Sequence, residues 1–246
     1  MSSRRWAGVT MVSDLHVKIF ADGADATAIA RLACNPVVQG FTTNPSLMRL
    51  AGVVDYERFA MRVLPTVGGR PISFEVFADD FDEMERQARR IAGWGDNVNV
   101  KIPITNTRGR SSAPLLRRLA AREIKVNVTA ILTVDQVRVA AAALADGPPC
   151  FISVLAGRIA DTGREPVPIV REALDAVARY ANLELIWASP RELLNVVQAD
   201  AIGCHVITVG CDILDKLPLL GRALEEHSLD TVRMFHRDAR SAGYVL

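Results

Sequence analysis

A chain of 246 residues, half of them apolar, is long enough to bury one large core, and residues 1–246 are read as a single domain. Twenty-nine Lys and Arg against 28 Asp and Glu leave a formal charge of +1 with no block of like charge, which argues against nucleic acid or an anionic membrane as the main partner. No apolar run reaches the roughly 18 residues of a membrane span, and the opening stretch MSSRRWAGVTMVSDLH lacks the apolar run of a secretory leader, so a cytoplasmic protein is expected.

In chain order, eight short apolar or alternating runs read as strands: VKIFA from Val17, VQGFTT from Val38, ISFEVF from Ile72, NVNVKIPI from Asn97, IKVNVT from Ile124, CFISVL from Cys150, LELIWA from Leu183 and HVITV from His205. Between them, FDEMERQARRIAGWG, APLLRRLAARE, TVDQVRVAAAALADG and PIVREALDAVARYAN carry apolar residues at helical spacing. Eight alternating units in one chain of this length predict an α/β fold, a single (β/α)8 TIM barrel, with a doubly wound open sheet as the alternative. An extra C-terminal helix is predicted from about Leu229, to cover a barrel end or bind a neighbouring subunit. Cys34, Cys150, Cys204 and Cys211 form no CxxC pair and the four histidines are dispersed, so reduced thiols and no metal are expected.

Alternate strand side chains point to opposite faces, and barrel interiors are usually filled by Val, Ile and Leu. Here one face breaks that rule repeatedly: Asp22 with Lys18, Glu75 with Ser73, Lys101 with Asn97 and Asn99, Thr129 with Lys125 and Asn127, and Ser153 between Ile152 and Val154. Buried charge without partners is costly, so a converging set of this kind is a satisfied network or an active site. The last polar residue of each run (Asp22, Glu75, Lys101, Thr129, Ser153) falls at the strand's C-terminal end, where barrel enzymes hold their chemistry.

Only four lysines occur, Lys18, Lys101, Lys125 and Lys216. A lysine amine kept neutral among apolar walls can add to a carbonyl, whereas arginine stays protonated. The resulting iminium permits cleavage of the neighbouring carbon–carbon bond, provided that one carboxylate moves a hydroxyl proton and another group handles the carbinolamine water; Asp22 and Glu75 are suited to divide these roles. Periodicity alone does not rank Lys125 below Lys101, and the plain reading of Lys125 is a lower-layer lysine paired with a carboxylate.

The segments GFTTNPSLM from Gly40 and VKIP from Val100, followed in order by VNVTAI, ISVLAGRIAD and WASPRE, are similar over nearly the whole chain to the transaldolase family, especially its short members related to fructose-6-phosphate aldolase. The resemblance implies a (β/α)8 barrel and a Schiff-base mechanism with Lys101 as nucleophile, which demotes Lys125. It further implies Asp22 as the first-strand aspartate, with Asp14 a surface decoy in MVSDL, and Glu75 with Thr129 as the pair that orders the catalytic water. Asn44, Asn127 and Ser153 resemble residues that hold a dihydroxyacetone unit, while Arg158, Ser189 and Arg191 resemble the family's phosphate site; guanidinium forks suit phosphate oxygens. No cofactor is implied.

Two positions depart from the family pattern. Leu155 stands where transaldolases commonly carry Phe and the aldolases carry Tyr, and Trp187 is bulkier than usual and is expected to alter the acceptor pocket. The resulting expectation is a transaldolase acting on small sugar phosphates, transferring a dihydroxyacetone unit from sedoheptulose 7-phosphate or fructose 6-phosphate to an aldose phosphate in carbohydrate metabolism, and forming a homo-oligomer. The alternatives are an aldolase that releases free dihydroxyacetone and a non-catalytic phosphosugar-binding barrel.

Overall fold

The computed structural model describes residues 11–246; the first ten, which belong to the stretch read above as lacking a secretory leader, lie outside the described residues. Every strand expected from the sequence forms: β1 (Lys18–Asp22), β2 (Val38–Thr42), β3 (Ile72–Glu75), β4 (Val98–Pro103), β5 (Val126–Ile131), β6 (Cys150–Val154), β7 (Leu183–Trp187) and β8 (Val206–Val209). All pair in parallel in sequence order and β8 closes on β1, so the sheet is a closed barrel and the open-sheet alternative is excluded.

Among the described residues eleven α-helices accompany the strands: α1 (Ala26–Ala33), α2 (Pro45–Leu50), α3 (Tyr56–Val63), α4 (Phe81–Ala92), α5 (Ala113–Ala120), α6 (Val134–Leu144), α7 (Ala156–Ala160), α8 (Pro166–Val177), α9 (Leu194–Ala201), α10 (Cys211–Leu214) and α11 (Leu224–Ser241). Helix α4 illustrates why these segments coil. The Asp80 side chain caps its N-terminus by accepting from the Asp82 and Glu83 amides, Arg89 and Arg90 complement the dipole in the last turn, and Met84, Ala88 and Ile91 recur on the buried face. The outward residues of the strands, among them Ile19, Phe74, Val100, Val128 and Ile152, join these helical stripes in one large core. At roughly 1.5–3 kcal/mol per buried aliphatic or aromatic side chain, that layer fixes which strand face looks inward.

Inside the barrel the filling is divided. One side is apolar, where Phe20, Ile186, Ala188 and Val206 pack with Phe151 and Leu155. Phe20 meets Phe151 edge-on with centroids 5.6 Å apart, and its ring fills the space above Gly40, where an added Cβ would lie 2.5 Å from it. The other side is polar, with Ser73, Asn99 and Asn127 nearly or fully buried.

A one-residue bulge interrupts the β5–β6 register between Val128 and Ile131, with Ala130 in a left-handed conformation (φ 61°). The extra residue reverses the strand's parity beyond Thr129. Ile131 therefore joins the outer core, while Thr129 and Ala130 both reach the C-terminal mouth.

Helix α11 starts at Leu224, five residues before the expected Leu229, and none of its residues is buried. The barrel cover expected as one of its two roles is therefore not formed: Leu224, Leu229, Val232 and Phe235 are exposed. Among the described residues no helix is long and apolar enough to cross a membrane, and no group of three or more His, Cys, Asp or Glu is placed to hold a metal.

Candidate active site

The C-terminal mouth of the barrel opens into a cavity of about 630 Å³ lined by Asp22, Asn44, Glu75, Lys101, Thr129, Ser153, Arg158 and Ser189, together with Thr42, Leu155 and Thr208. Eight of the ten expected site residues therefore share one wall-to-wall space; Asn127 and Arg191 lie outside its lining.

Lys101 sits near the floor, 7% exposed. The β3–β4 register sets Glu75 beside it, with Lys101 Nζ 3.1 Å from Glu75 Oε2, and the same amine donates to the Thr43 carbonyl at 2.7 Å. Both contacts hold the amine at the mouth of the barrel. Asp22 lies across the floor and accepts at Oδ1 from the Thr42 hydroxyl at 2.8 Å. Burial raises its pKa above the usual carboxylate value, the Lys101 charge and the Thr42 bond oppose that rise, and the Glu75 charge adds to it. The two carboxylates thus stand in different settings, one ion-paired to the amine and one desolvated.

Glu75 is also fixed through its backbone: Tyr56 of α3 accepts from the Glu75 amide at 2.8 Å and donates to its carbonyl at 3.0 Å. Burial pushes the Tyr56 phenol above its ordinary value, so it stays protonated as this bracket requires. Asn44 caps α2 by accepting from the Leu47 amide, with Pro45 preset for the first turn; it serves this cap while also lining the cavity.

Asn127 is fully buried beneath the floor. Its Nδ2 donates to Ser73 Oγ at 3.0 Å and its Oδ1 accepts from Ser153 Oγ at 2.7 Å, so it supports Ser153 from below. Arg158, in the middle of α7, is exposed in the cavity lining, and its side chain makes no hydrogen bond or ion pair among the described residues, although its charge acts on Asp161. Arg191 instead forms a two-point pair with Asp161, Nε to Oδ1 at 3.0 Å and Nη2 to Oδ2 at 2.5 Å. That bond holds the Asp161 carboxyl below, and the Arg191 guanidinium above, its ordinary value. Ser189 adopts a left-handed backbone (φ 56°), and its carbonyl lies so close to Gly157 that a Cβ there would stand 1.6 Å away. This contact is why the AGR segment needs a glycine.

The other lysines of the strands lie elsewhere. Lys18 pairs with Glu184 at 2.5 Å in the lower barrel, and Lys125 donates to the Asp96 carbonyl at 2.7 Å. Lys125 is thus a lower-layer lysine, held by a backbone oxygen rather than the carboxylate expected. It lines a larger cavity of about 700 Å³ with Asn97, Asn99 and Glu184 at the opposite mouth, remote from the Asp22, Glu75 and Lys101 set. The expected effect of Trp187 on the acceptor pocket is corrected: its ring is fully buried in the outer core and does not line the cavity. Asp14 lies in a short 3-10 turn (Val12–Asp14) before β1 and is absent from the lining.

Four contributors were missed by residue-level reading: Thr42, Thr43, Tyr56 and Thr208. Thr208 was within reach, because alternation along VITV places it on the inward face with Val206; Thr42 was not, because the β1–β2 register shifts between Val38 and Gly40, so Val38 joins the outer core while Thr42 lines the cavity. The Thr43 carbonyl and the Tyr56 bracket are tertiary contacts that periodicity does not reveal.

The family model described as Transaldolase/Fructose-6-phosphate aldolase matches residues 19–244. A Methanococcus maripaludis protein named "Probable transaldolase" is 31% identical over 218 residues, covering 87% of this chain and 97% of that protein. A Streptococcus equi subsp. equi protein of the same name is 35% identical over 216 residues, covering 87% and 93%. Among solved structures, a mandelate oxidase superposes with a TM-score of 0.56 at 16% identity, covering 92% of this chain and 79% of that one, a likeness of fold alone.

Proposed function

Starting from a chain that belongs to the transaldolase/fructose-6-phosphate aldolase family, we propose that it is a transaldolase that moves a dihydroxyacetone unit between sugar phosphates through a Schiff base on Lys101. The observation that carries this reading is one amine, nearly buried and 3.1 Å from the Glu75 carboxylate, facing a cavity that also holds the desolvated Asp22.

In the proposed cycle the Lys101 amine adds to the ketose carbonyl, and Glu75 with Thr129 holds the water lost as carbinolamine becomes iminium. Asp22 takes the proton of the hydroxyl two carbons from the iminium carbon. The bond between that hydroxyl's carbon and the carbon next to the iminium breaks, its electron pair forms the enamine, and an aldose phosphate departs. An incoming aldehyde reverses these steps, with Asp22 returning the proton to the new hydroxyl. Ser153, braced by Asn127, and Asn44 hold the three-carbon unit, and Arg158 with Ser189 receives the phosphate. Arg191 joins them only by leaving Asp161, so Arg158 carries the larger share.

Leu155 favours transfer over simple cleavage. Its side chain lines the cavity wall with the inner apolar cluster and has no proton to give the enamine, which therefore waits for an aldehyde. Four free thiols, two of them buried, suit the reducing cytoplasm. The unburied, partly apolar α11 supports self-association.

Borohydride reduction in the presence of fructose 6-phosphate tests the reading: the donor fragment is expected on Lys101, with dihydroxyacetone released slowly unless erythrose 4-phosphate is present. An adduct on Lys125, or fast release without an acceptor, refutes it.

A further inference from the structure

Strand β8 places Val206 in the inner apolar cluster, so Thr208, two residues on, also faces the barrel interior. A hydroxyl there loses hydration and must find a partner. Thr208 is 5% exposed, and its Oγ1 lies 2.5 Å from Thr42 Oγ1, which is 3% exposed and donates to Asp22 Oδ1 at 2.8 Å. No other side-chain bond of Thr208 or Asp22 is made among the described residues.

The proton order in this row is set by its end. Thr42 has one hydrogen and gives it to the carboxylate, so its oxygen can only accept from Thr208. Both hydroxyl dipoles then point at Oδ1, and the outer donor strengthens the inner bond because hydrogen bonds in series polarise one another. Oδ1 is thereby occupied, leaving Oδ2 as the oxygen free to exchange a proton with a molecule in the cavity. The other charges facing Asp22 are Lys101 from β4 and Glu75 from β3.

We infer that Thr208 is a positioning residue for the proton-transfer step: acting through Thr42, it stabilises the ionised Asp22 and confines proton traffic to Oδ2. The inference rests on the role given to Asp22 above. Burial works against the ionised carboxylate, and the donated bond offsets part of that cost.

The test is a ¹³C titration of the Asp22 carboxyl, which needs no turnover, in the wild type and in Thr208→Val, which keeps the side chain's shape but removes the hydroxyl. The midpoint should rise by roughly half a pH unit in Thr208→Val and return in Thr208→Ser. Thr42→Val should raise it by about one to two units, and adding Thr208→Val to that background should change nothing further. The acid limb of kcat/KM should move with the midpoint. An unchanged midpoint in Thr208→Val, no rescue by serine, or a Thr208→Val shift that persists without the Thr42 hydroxyl overturns the inference. Failure of borohydride to trap Lys101 would instead remove the transaldolase reading while leaving the titration result standing.

Discussion

Gly157 joins the first turn of α7 to the loop after β7, and Gly157→Ala puts that joint to the test. An added Cβ would lie 1.6 Å from the Ser189 carbonyl oxygen, 2.8 Å from its carbon and 3.3 Å from Arg191 Cζ. About 1.4 Å must open before the first contact reaches even 3.0 Å, below which real Cβ contacts essentially never fall. Neither side yields easily: Ser189 is already left-handed, Ala188 N donates to Val154 O at 2.8 Å, and the closest atoms belong to the backbone. Overpacking of this kind costs about 1–3 kcal/mol or more, equivalent to a Tm lower by roughly 2–12 °C in a chain of this size. The displaced segments carry Arg158 and Ser189, whereas Lys101 and Glu75 stand on β4 and β3. Misplacement of about 1 Å can cost on the order of 100-fold, so kcat/KM for a phosphorylated acceptor should fall roughly 10- to 100-fold, with a much smaller fall for unphosphorylated glyceraldehyde. Thermal melts and parallel kinetics with the two acceptors measure both effects. Wild-type melting, or equal losses on both acceptors, would show that this contact does not organise an anion site.

Arg158→Ala should lower kcat/KM for phosphorylated sugars by about 1.5–3 kcal/mol, or one to two decades, because the Arg158 guanidinium makes no hydrogen bond or ion pair among the described residues that it must give up; Arg191→Ala should cost less, since the two-point pair with Asp161 competes for it. Steady-state kinetics of the two variants ranks them, and a larger loss from Arg191 reverses the assignment. Asp22→Asn should melt above the wild type at pH 7 while turning over far more slowly. Burial raises the Asp22 pKa, so the folded state binds more protons than the unfolded one and this group's contribution declines as pH rises through the raised value. The gain should therefore shrink as pH falls from above the raised value to the usual carboxylate value, below which both states are protonated, and a pH-independent difference between the two melting curves would disprove the desolvation account. Removal of residues 224–246 should leave the barrel folded but convert an oligomer into monomers by light scattering, because no residue of α11 is buried within its own chain.

Much of this site was legible in the sequence because strand parity is a strong constraint. Asn97, Asn99 and Lys101 alternate with Val98, Val100 and Ile102, and burying the aliphatic set against helices leaves the polar set only the interior. The same argument yielded Asp22, Glu75, Thr129 and Ser153, all of which line the cavity. Parity does not say how deep along the barrel a residue sits. Lys125 and Lys101 alternate alike, yet the register pairs Lys101 with Asn127, leaving Lys125 one layer lower, beside Asp96. Trp187 failed for the opposite reason: its bulk relative to the family pattern suggested an altered pocket, while its place between Ile186 and Ala188, both of the inner cluster, required it to face out.

What the sequence concealed is mostly backbone. The Thr43 carbonyl that holds the Lys101 amine leaves no mark in residue identity, and the bulge at Ala130 is carried by an alanine rather than the glycine that would have announced it. A left-handed alanine or serine costs of order 1–2 kcal/mol and persists only where surrounding contacts hold it. Ala130 and Ser189 are two of the three non-glycine residues with positive φ among the described residues, and both line the cavity. Ala130 lets β5 deliver Thr129 to the mouth before Ile131 returns to the outer core, and Ser189 turns its carbonyl onto Gly157 beside Arg158. Strain concentrated there, with the buried Lys101 and Asp22 between, implies that the outer core of aliphatic strand faces and helices offsets the cost of holding the mouth in an unfavourable geometry.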